Sequence, residues 1–431
     1  MSAALSSFEV QWRARAPDGL QPIRELAMQR LLKLGLPSAR DETWRYTDLR
    51  SVAAQSFTAA ACDPIGEISQ SGSLLLKASE ATTLLMVNGC PLLTGTEMVI
   101  NGLTINSISD ISSVDSSALR RFFEPVTDAE QRRWVLLNTA LFSDGLYIKV
   151  SAALVNPIVI LHVSNGAAAQ AAHPRVIIDA APGASATVIE HHLQQGDHAP
   201  LINSNTHIAL ARDAQLEHYR VYASGAAATH IDSLDIHQAQ GSQCKQFTIA
   251  LGGGLVRSTL EAHLNQPGAT LDSYSLLAGH EDRHVDCVNI VTHAAPDTRS
   301  RQTARAIASD SSRVIFNSKV IVNGGAKDAD SQQSFKGLLL SPKAEIDSRP
   351  QLEIHADEVK CAHGATTGRL DPNMLFYLLS RGLDRETAQS LLVFAFLADA
   401  LTGMSVSSAR SAIENALISQ LPDSQILRKF R

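Results

Sequence analysis

The chain has 431 residues, room for two or three domains and a sizeable buried core. Hydrophobic residues make up 45%, but charged residues only 19% and aromatics 5%, so neutral polar side chains must solvate the surface and small aliphatics must fill the core, as in β-rich or solenoid proteins. A balance of 37 Lys and Arg against 43 Asp and Glu, a formal charge of −6, argues against nucleic acid as a partner.

Met1 to Val10 lacks a basic stretch followed by an apolar one, and the longest apolar run, Leu391 to Ala398, is far short of a membrane span. We therefore expect a cytoplasmic protein with no membrane partner. The cysteines at 62, 90, 244, 287 and 361 are odd in number and at least 28 positions apart, which predicts neither a disulfide framework nor a CxxC metal knuckle.

In chain order, residues 1–80 read as an N-terminal helical region. Gln21 to Leu36 has Pro22 at a favoured first position, apolar Ile23, Leu26, Leu31 and Leu34, and Gly35 with Pro37 as a stop. A second helical stretch follows Ser38. From Ala81 to Ser109 short apolar strands are punctuated by Asn88-Gly89 and Asn101-Gly102, and a helical insertion covers about 117–142.

Between about 155 and 360 one phrase recurs: a turn with Gly, Pro or Asp, then a strand with a small residue near its start. The starts fall at Ala184, Ala214, Ser242, Ala269, Thr298 and Lys327, separated by 30, 28, 27, 29 and 29 residues. A second apolar segment precedes each, centred on Ile177, Ile208, Ile236, Ala262, Ile290 and Ile321, with no helix between. Parallel pairing with short turns requires a coil that returns to stack on itself, so residues 81–360 are predicted to form a parallel β-helix. An antiparallel sandwich, with strands every ~8–12 residues, is the competing reading. Alternation predicts Phe247, Ile249 and Leu251 inward against outward Gln246 and Thr248, and Leu352 and Ile354 inward against Glu353 and His355.

After Lys360 the strand pattern ends, and 361–431 reads as a C-terminal helical region. Asp371-Pro372 opens one helix, which Arg381-Gly382 closes. Asp384 caps a second helix as far as Gly403, and a third spans about Ser407 to Leu421 before Pro422. Such an apolar tail on a solenoid caps its open end or docks another protein.

Thirteen of fifteen histidines lie between His162 and His293, mostly one per strand at outward parity, and read as polar solenoid surface. His191 and His192 point to opposite faces, and His280 and His284 flank a turn. Gly252-Gly253-Gly254 is a flexible strand connection without the Lys and Ser/Thr of a P-loop. Asp357-Glu358 reads as solvated. With no GxSxG elbow and no HExxH, the chain does not look like a self-contained enzyme. Cys361 and His363 are different. Two apart in an extended segment, they project to one side, where a thiolate and an imidazole suit Fe or Zn, or where a buried Cys packs and a His satisfies backbone groups.

Three regions of the chain carry a family resemblance, the C-terminal one in three segments. Cys361 to Gly368 (CysAlaHisGlyAlaThrThrGly), Leu375 to Gly382 (LeuPheTyrLeuLeuSerArgGly) and the apolar helix Leu391 to Leu397 resemble the C-terminal signature of the SufD family of the SUF iron–sulfur cluster assembly machinery. Arg40 to Leu49, around Trp44, and Asn138 to Val150 are similar to further motifs of that family, in the same order. The paralogous SufB family usually has His-Glu-Ala-Thr where this chain has His363-Gly364-Ala365-Thr366, so Gly364 favours SufD.

The resemblance implies a mainly β protein, a right-handed parallel β-helix between N- and C-terminal α-helical regions. It implies a non-catalytic scaffold that pairs with SufB, binds the ATPase SufC through its C-terminal helical region, and forms a homodimer in isolation. A nascent Fe–S cluster would be shared with SufB at the interface and passed on to apo-proteins; none is held stably by this chain alone. His363 maps onto the family's cluster-assembly histidine, a transient Fe or cluster ligand, with Cys361 as a ligand, a sulfur or iron contact, or interface packing. Two other readings are a SufB-like paralogue and a β-helix polysaccharide lyase or hydrolase, although the chain lacks an obvious acidic cluster on successive coils.

Overall fold

The computed structural model describes residues 2–63, 80–93, 95, 97–115, 117–123, 132–166 and 169–421. Parts of the N-terminal region and of the insertion near 117–142, and the chain from Pro422 onward, lie outside the described residues.

Two sheets of parallel strands face each other, and the chain crosses from one to the other twice per turn of a coil of about seven turns. Each strand pairs with the strand one full turn away. In the second sheet the row Gln215, Gln243, Thr270, Arg299, Asp330, Lys360 is in register. This is a parallel β-helix, and the antiparallel sandwich is excluded. The predicted starts lie one residue before the observed strands at Ser185, Gln215, Gln243, Thr270 and Arg299, and three before that at Asp330.

The repeat has a backbone cause. At the bend from the first sheet to the second, each turn places one residue in the left-handed region: Gly183, Asp213, Gly241, Gly268, Asp297, Asp328, then Glu358. Gly and Asp recur there because they tolerate positive φ. At the opposite bend Gly252 and Gly254 are required by space: a Cβ would lie 2.4 Å from the Ser224 carbonyl oxygen and 2.1 Å from that of Ala226. The triglycine is a close backbone crossing.

At its N-terminal end the coil is closed by antiparallel strands. The hairpin through Asn88-Gly89 ends one sheet, and Leu103–Ser107 with Glu97–Ile100 ends the other. Helices Ala3–Ala14, Gln21–Leu34 and Arg133–Leu141 share a core with Ala171, Leu201 and Ile231 of the first sheet. The first of these lies within the expected helical region of residues 1–80 but was not singled out there. Ser2 caps it, accepting from the Leu5 amide at 3.3 Å, and Ala4, Leu5 and Phe8 are buried. Helices Pro372–Ser380, Arg385–Ala398 and Ser407–Ser419 follow the expected punctuation, and the last two cover the outer face of the second sheet.

That cover overturns the facing assigned to Phe247, Ile249 and Leu251, whereas Leu352 packs against the interior apolar cluster as expected. Phe247 and Ile249 pack outward beneath Val393 and Leu397, while Gln246 and Thr248 point into the coil, where Gln246 Oε1 accepts from Ser273 Oγ and Asn289 Nδ2 reaches that hydroxyl from the opposite sheet. With both faces buried, parity separates two faces without saying which is inside.

Most histidines are likewise not surface. His162, His191, His192, His218, His230 and His293 are all buried, while the stack His207–His237–His263, with rings 4.9 and 4.8 Å apart, decorates an outer face. Inside the coil Glu190 is the hub. It accepts from His162 Nε2 at 3.0 Å, His218 Nε2 at 2.9 Å, Thr206 Oγ1 at 2.8 Å and Arg220 Nη2 at 3.0 Å. These donors hold its carboxyl well below the usual range although burial opposes this.

Two further expectations are corrected. Cys62 and Cys90 form a disulfide, joining the segment after the N-terminal helices to the closing hairpin, so sequence separation did not prevent pairing. The strand pattern does not end at Lys360: a last strand runs Lys360–Gly368, because the second sheet needs a partner for Asp330–Leu339.

Candidate functional site at the open end of the coil

Two of the three motifs are structural anchors. The guanidinium of Arg257 lies 3.8 Å from the Trp44 ring, bonds the Thr43 carbonyl at 2.7 Å and pairs with buried Asp286, which also accepts from Thr47. Arg40 to Leu49 thus clamps the N-terminal helices to the coil. Asn138 donates to the carbonyls of Pro174 at 2.9 Å and Asn203 at 2.7 Å and accepts from Arg175 at 3.1 Å, pinning its helix to the sheet.

The third motif sits where the coil stops. Lys360–Gly368 is the last strand of its sheet, and among the described residues nothing pairs with its outer edge. The Lys360 amide donates to the Ala329 carbonyl at 2.9 Å, so even-numbered residues bond the preceding turn, and Cys361 and His363 present their own N–H and C=O groups to the free edge. Their side chains share the inward face: Cys361 is in register with Ser331, and His363 with Gln333. Behind His363 runs an interior polar row, Gln333, Gln302, Ser273, Gln246 and His218, each one turn further in. Those five are buried, whereas His363 is exposed because no further turn covers it. Cys361 is half-buried against the interior apolar cluster, and burial, aided by Asp330, pushes its thiol above the ordinary value. Gly364 faces open space.

The other thiols are spoken for. Cys62 and Cys90 are bonded to each other, and Cys244 and Cys287 are buried with thiols pushed up to about 12 by desolvation. Cys361 is therefore the one accessible thiol, and with His363 it offers two ligands where an Fe–S cluster takes four. Beside this edge the helix Pro372–Ser380 exposes Met374, Phe376 and Tyr377, with Phe376 72% exposed.

Sequence reasoning placed Cys361 and His363 correctly relative to each other but at a strand–helix junction; they lie within the strand. It missed the interior cluster around Glu190, His192 and Asp232. The signal was the run Ala186, Val188, Glu190, His192, where one face turns polar halfway along the strand.

These features define a class of protein: a parallel β-helix scaffold that ends on an unpaired edge strand carrying a thiol and an imidazole. A family model described as SUF system FeS cluster assembly, SufBD core domain, matches residues 162–396, and one for the SufBD protein N-terminal region matches 8–160. The chain is 30% identical over 396 residues to the iron–sulfur cluster assembly protein SufD of Escherichia coli, covering 91% of this chain and 90% of that one. It is 27% identical to an iron–sulfur cluster assembly SufBD family protein of Synechocystis (91% and 89% covered), and 23% identical to SufD of Bacillus subtilis (74% of each). The chain belongs to the SufBD family of the SUF iron–sulfur cluster assembly system. Among the described residues no helix is long and apolar enough to cross a membrane.

Proposed function

We propose that this chain is the SufD-type, non-catalytic scaffold subunit of a cytoplasmic SUF complex. It pairs with SufB along the free edge of the last turn, binds the ATPase SufC through its C-terminal helices, and contributes His363 to a nascent Fe–S cluster shared with SufB. Cys361 lies beside it as a second ligand or a transient sulfur contact. The cluster is cargo, passed on to apo-proteins, and not resident in this chain.

The observation that carries this reading is the placement of Cys361 and His363 on an exposed edge strand. Unpaired strand edges recruit another chain by main-chain hydrogen bonding, so a partner added here arrives at the two side chains with its own ligands. Two ligands from this chain make that partner necessary. Without SufB the same edge pairs two copies of this chain. Met374, Phe376 and Tyr377 supply an apolar anchor of the kind that dominates interfaces.

The test is His363→Ala in a complex reconstituted with SufB and SufC. The expected result is an intact complex with most of its cluster yield lost; a full yield at normal complex stability overturns the assignment. Phe376→Asp should weaken SufC binding by about 2 kcal/mol, roughly thirtyfold, with SufB pairing kept.

A further inference from the structure

We propose that the interior of the coil holds one divalent first-row transition ion, ligated by His192, His230 and Asp232. One ligand atom from each lies within 4.8 Å of the others, and all three side chains are buried. Three observations point to a cation there.

The first is unspent polarity. Both ring nitrogens of His192, Nδ1 of His230 and Oδ2 of Asp232 have no hydrogen-bond partner, although His192 is 1% exposed. Buried polar atoms are nearly always paired, so a group of orphans converging on one point marks a missing partner.

The second is that the remaining atoms are already fixed as ligand supports. His230 Nε2 meets Ser224 Oγ at 3.0 Å, and Asp232 Oδ1 accepts from the Ser204 amide at 2.9 Å. Each bond holds a side chain with its free atom turned inward, His230 Nδ1 lying 3.6 Å from Asp232 Oδ2. Metal-binding imidazoles and carboxylates are oriented by such second contacts.

The third is charge. Inside the coil Glu190 and Asp232 lie near one guanidinium, that of Arg220, and it is bonded to Glu190. A carboxylate buried without a cation bonded to it is costly.

Geometry also rejects the neighbouring triad, His162, Glu190 and His192. The rings of His162 and His192 are stacked at 4.4 Å and 8°, so their lone pairs lie in parallel planes and cannot meet at one ion. Those of His192 and His230 cross at 81°. Two imidazoles and one carboxylate suit Zn(II), Fe(II) or Co(II). Enclosed between the sheets, the ion would be captured as the coil forms and exchange slowly.

The experiment uses the full chain with Cys361→Ser and His363→Ala, so the open end cannot supply the ligands and the outcome is independent of the proposed function. The protein is unfolded with chelator, refolded with Co(II) and gel-filtered. The expected result is one Co(II) per chain, with the visible bands of a nitrogen and oxygen site and no thiolate charge-transfer band. His192→Gln and Asp232→Asn should each abolish retention, while Gln at His191, on the opposite face, should keep it. No retained ion in the parent chain, or equal retention after His192→Gln and Asp232→Asn, overturns the proposal. Should those variants fail to refold, the parent decides: one retained ion with that spectrum supports the site, and none refutes it.

Discussion

Lowering the pH from 7.5 to 5.5 should destabilise the fold well before its carboxylates protonate. His173 and His293 are buried, and desolvation pushes both imidazoles down to about 4. Unfolded, each titrates near the ordinary value of about 6.5. The folded value lies below the unfolded one, so between these limits the unfolded chain takes up protons that the fold refuses. Stability is therefore full above about pH 6.5 and drains as pH falls toward 4. Per histidine the loss between pH 7.5 and 5.5 is about 1.3 kcal/mol, so the pair accounts for roughly 2.5 kcal/mol. His191, His207 and His263 are shifted the same way and add to it. Glu190 and Asp235 lie below the usual carboxylate range and lose their contribution only at lower pH. The assay is urea unfolding at pH 7.5, 6.5 and 5.5, followed by tryptophan fluorescence. Replacing His293 with Gln, which can still meet Thr298 and Ser300, should remove its share of the slope. A free energy of unfolding that does not change between pH 7.5 and 5.5 would refute the buried-histidine account.

Arg257→Ala should cost about 3–5 kcal/mol by stranding the buried Asp286 carboxylate, read as a lower urea midpoint and faster proteolysis of the N-terminal helices. Gly254→Ala should cost about 1–3 kcal/mol because its Cβ meets the Ala226 carbonyl, whereas Gly325→Ala, with nothing near its Cβ, should leave the midpoint unchanged. Thiol titration in denaturant should give three reactive cysteines per chain without reductant and five after reduction, from the Cys62–Cys90 bond.

The coil was readable because its period is written in the backbone. A left-handed bend once per turn favours Gly or Asp, which hold it at every turn but the last, and this appears in the sequence as a regular mark. The C-terminal helices were readable for a similar reason, through Asp371, Asp384 and Gly382. What alternation could not reveal was which face looked inward, because the helices over Phe247 and Ile249 bury the outer face as fully as the coil buries Gln246 and Thr248. The histidines were misplaced by the same ambiguity. Cys361 and His363 could be singled out by spacing, but their exposure depends on where the coil stops, a property of the whole chain. The pairing of Cys62 with Cys90 left no local mark in the sequence.

The open end also raises a question of uncontrolled growth. A stack of identical rungs with a bare final rung is a seed for filaments, since any extended chain can become the next rung. In the last strand of the first sheet, Glu345–Ile354, the amides of Glu345 and His355 bond the preceding turn, so the even-numbered positions between them face outward. One of these is Pro350, which has no N–H to offer. The rung is therefore interrupted near its middle on one sheet and continuous on the other, around Cys361 and His363. A newcomer can zip fully onto only one of the two edges, which favours a single defined mate over an endless series.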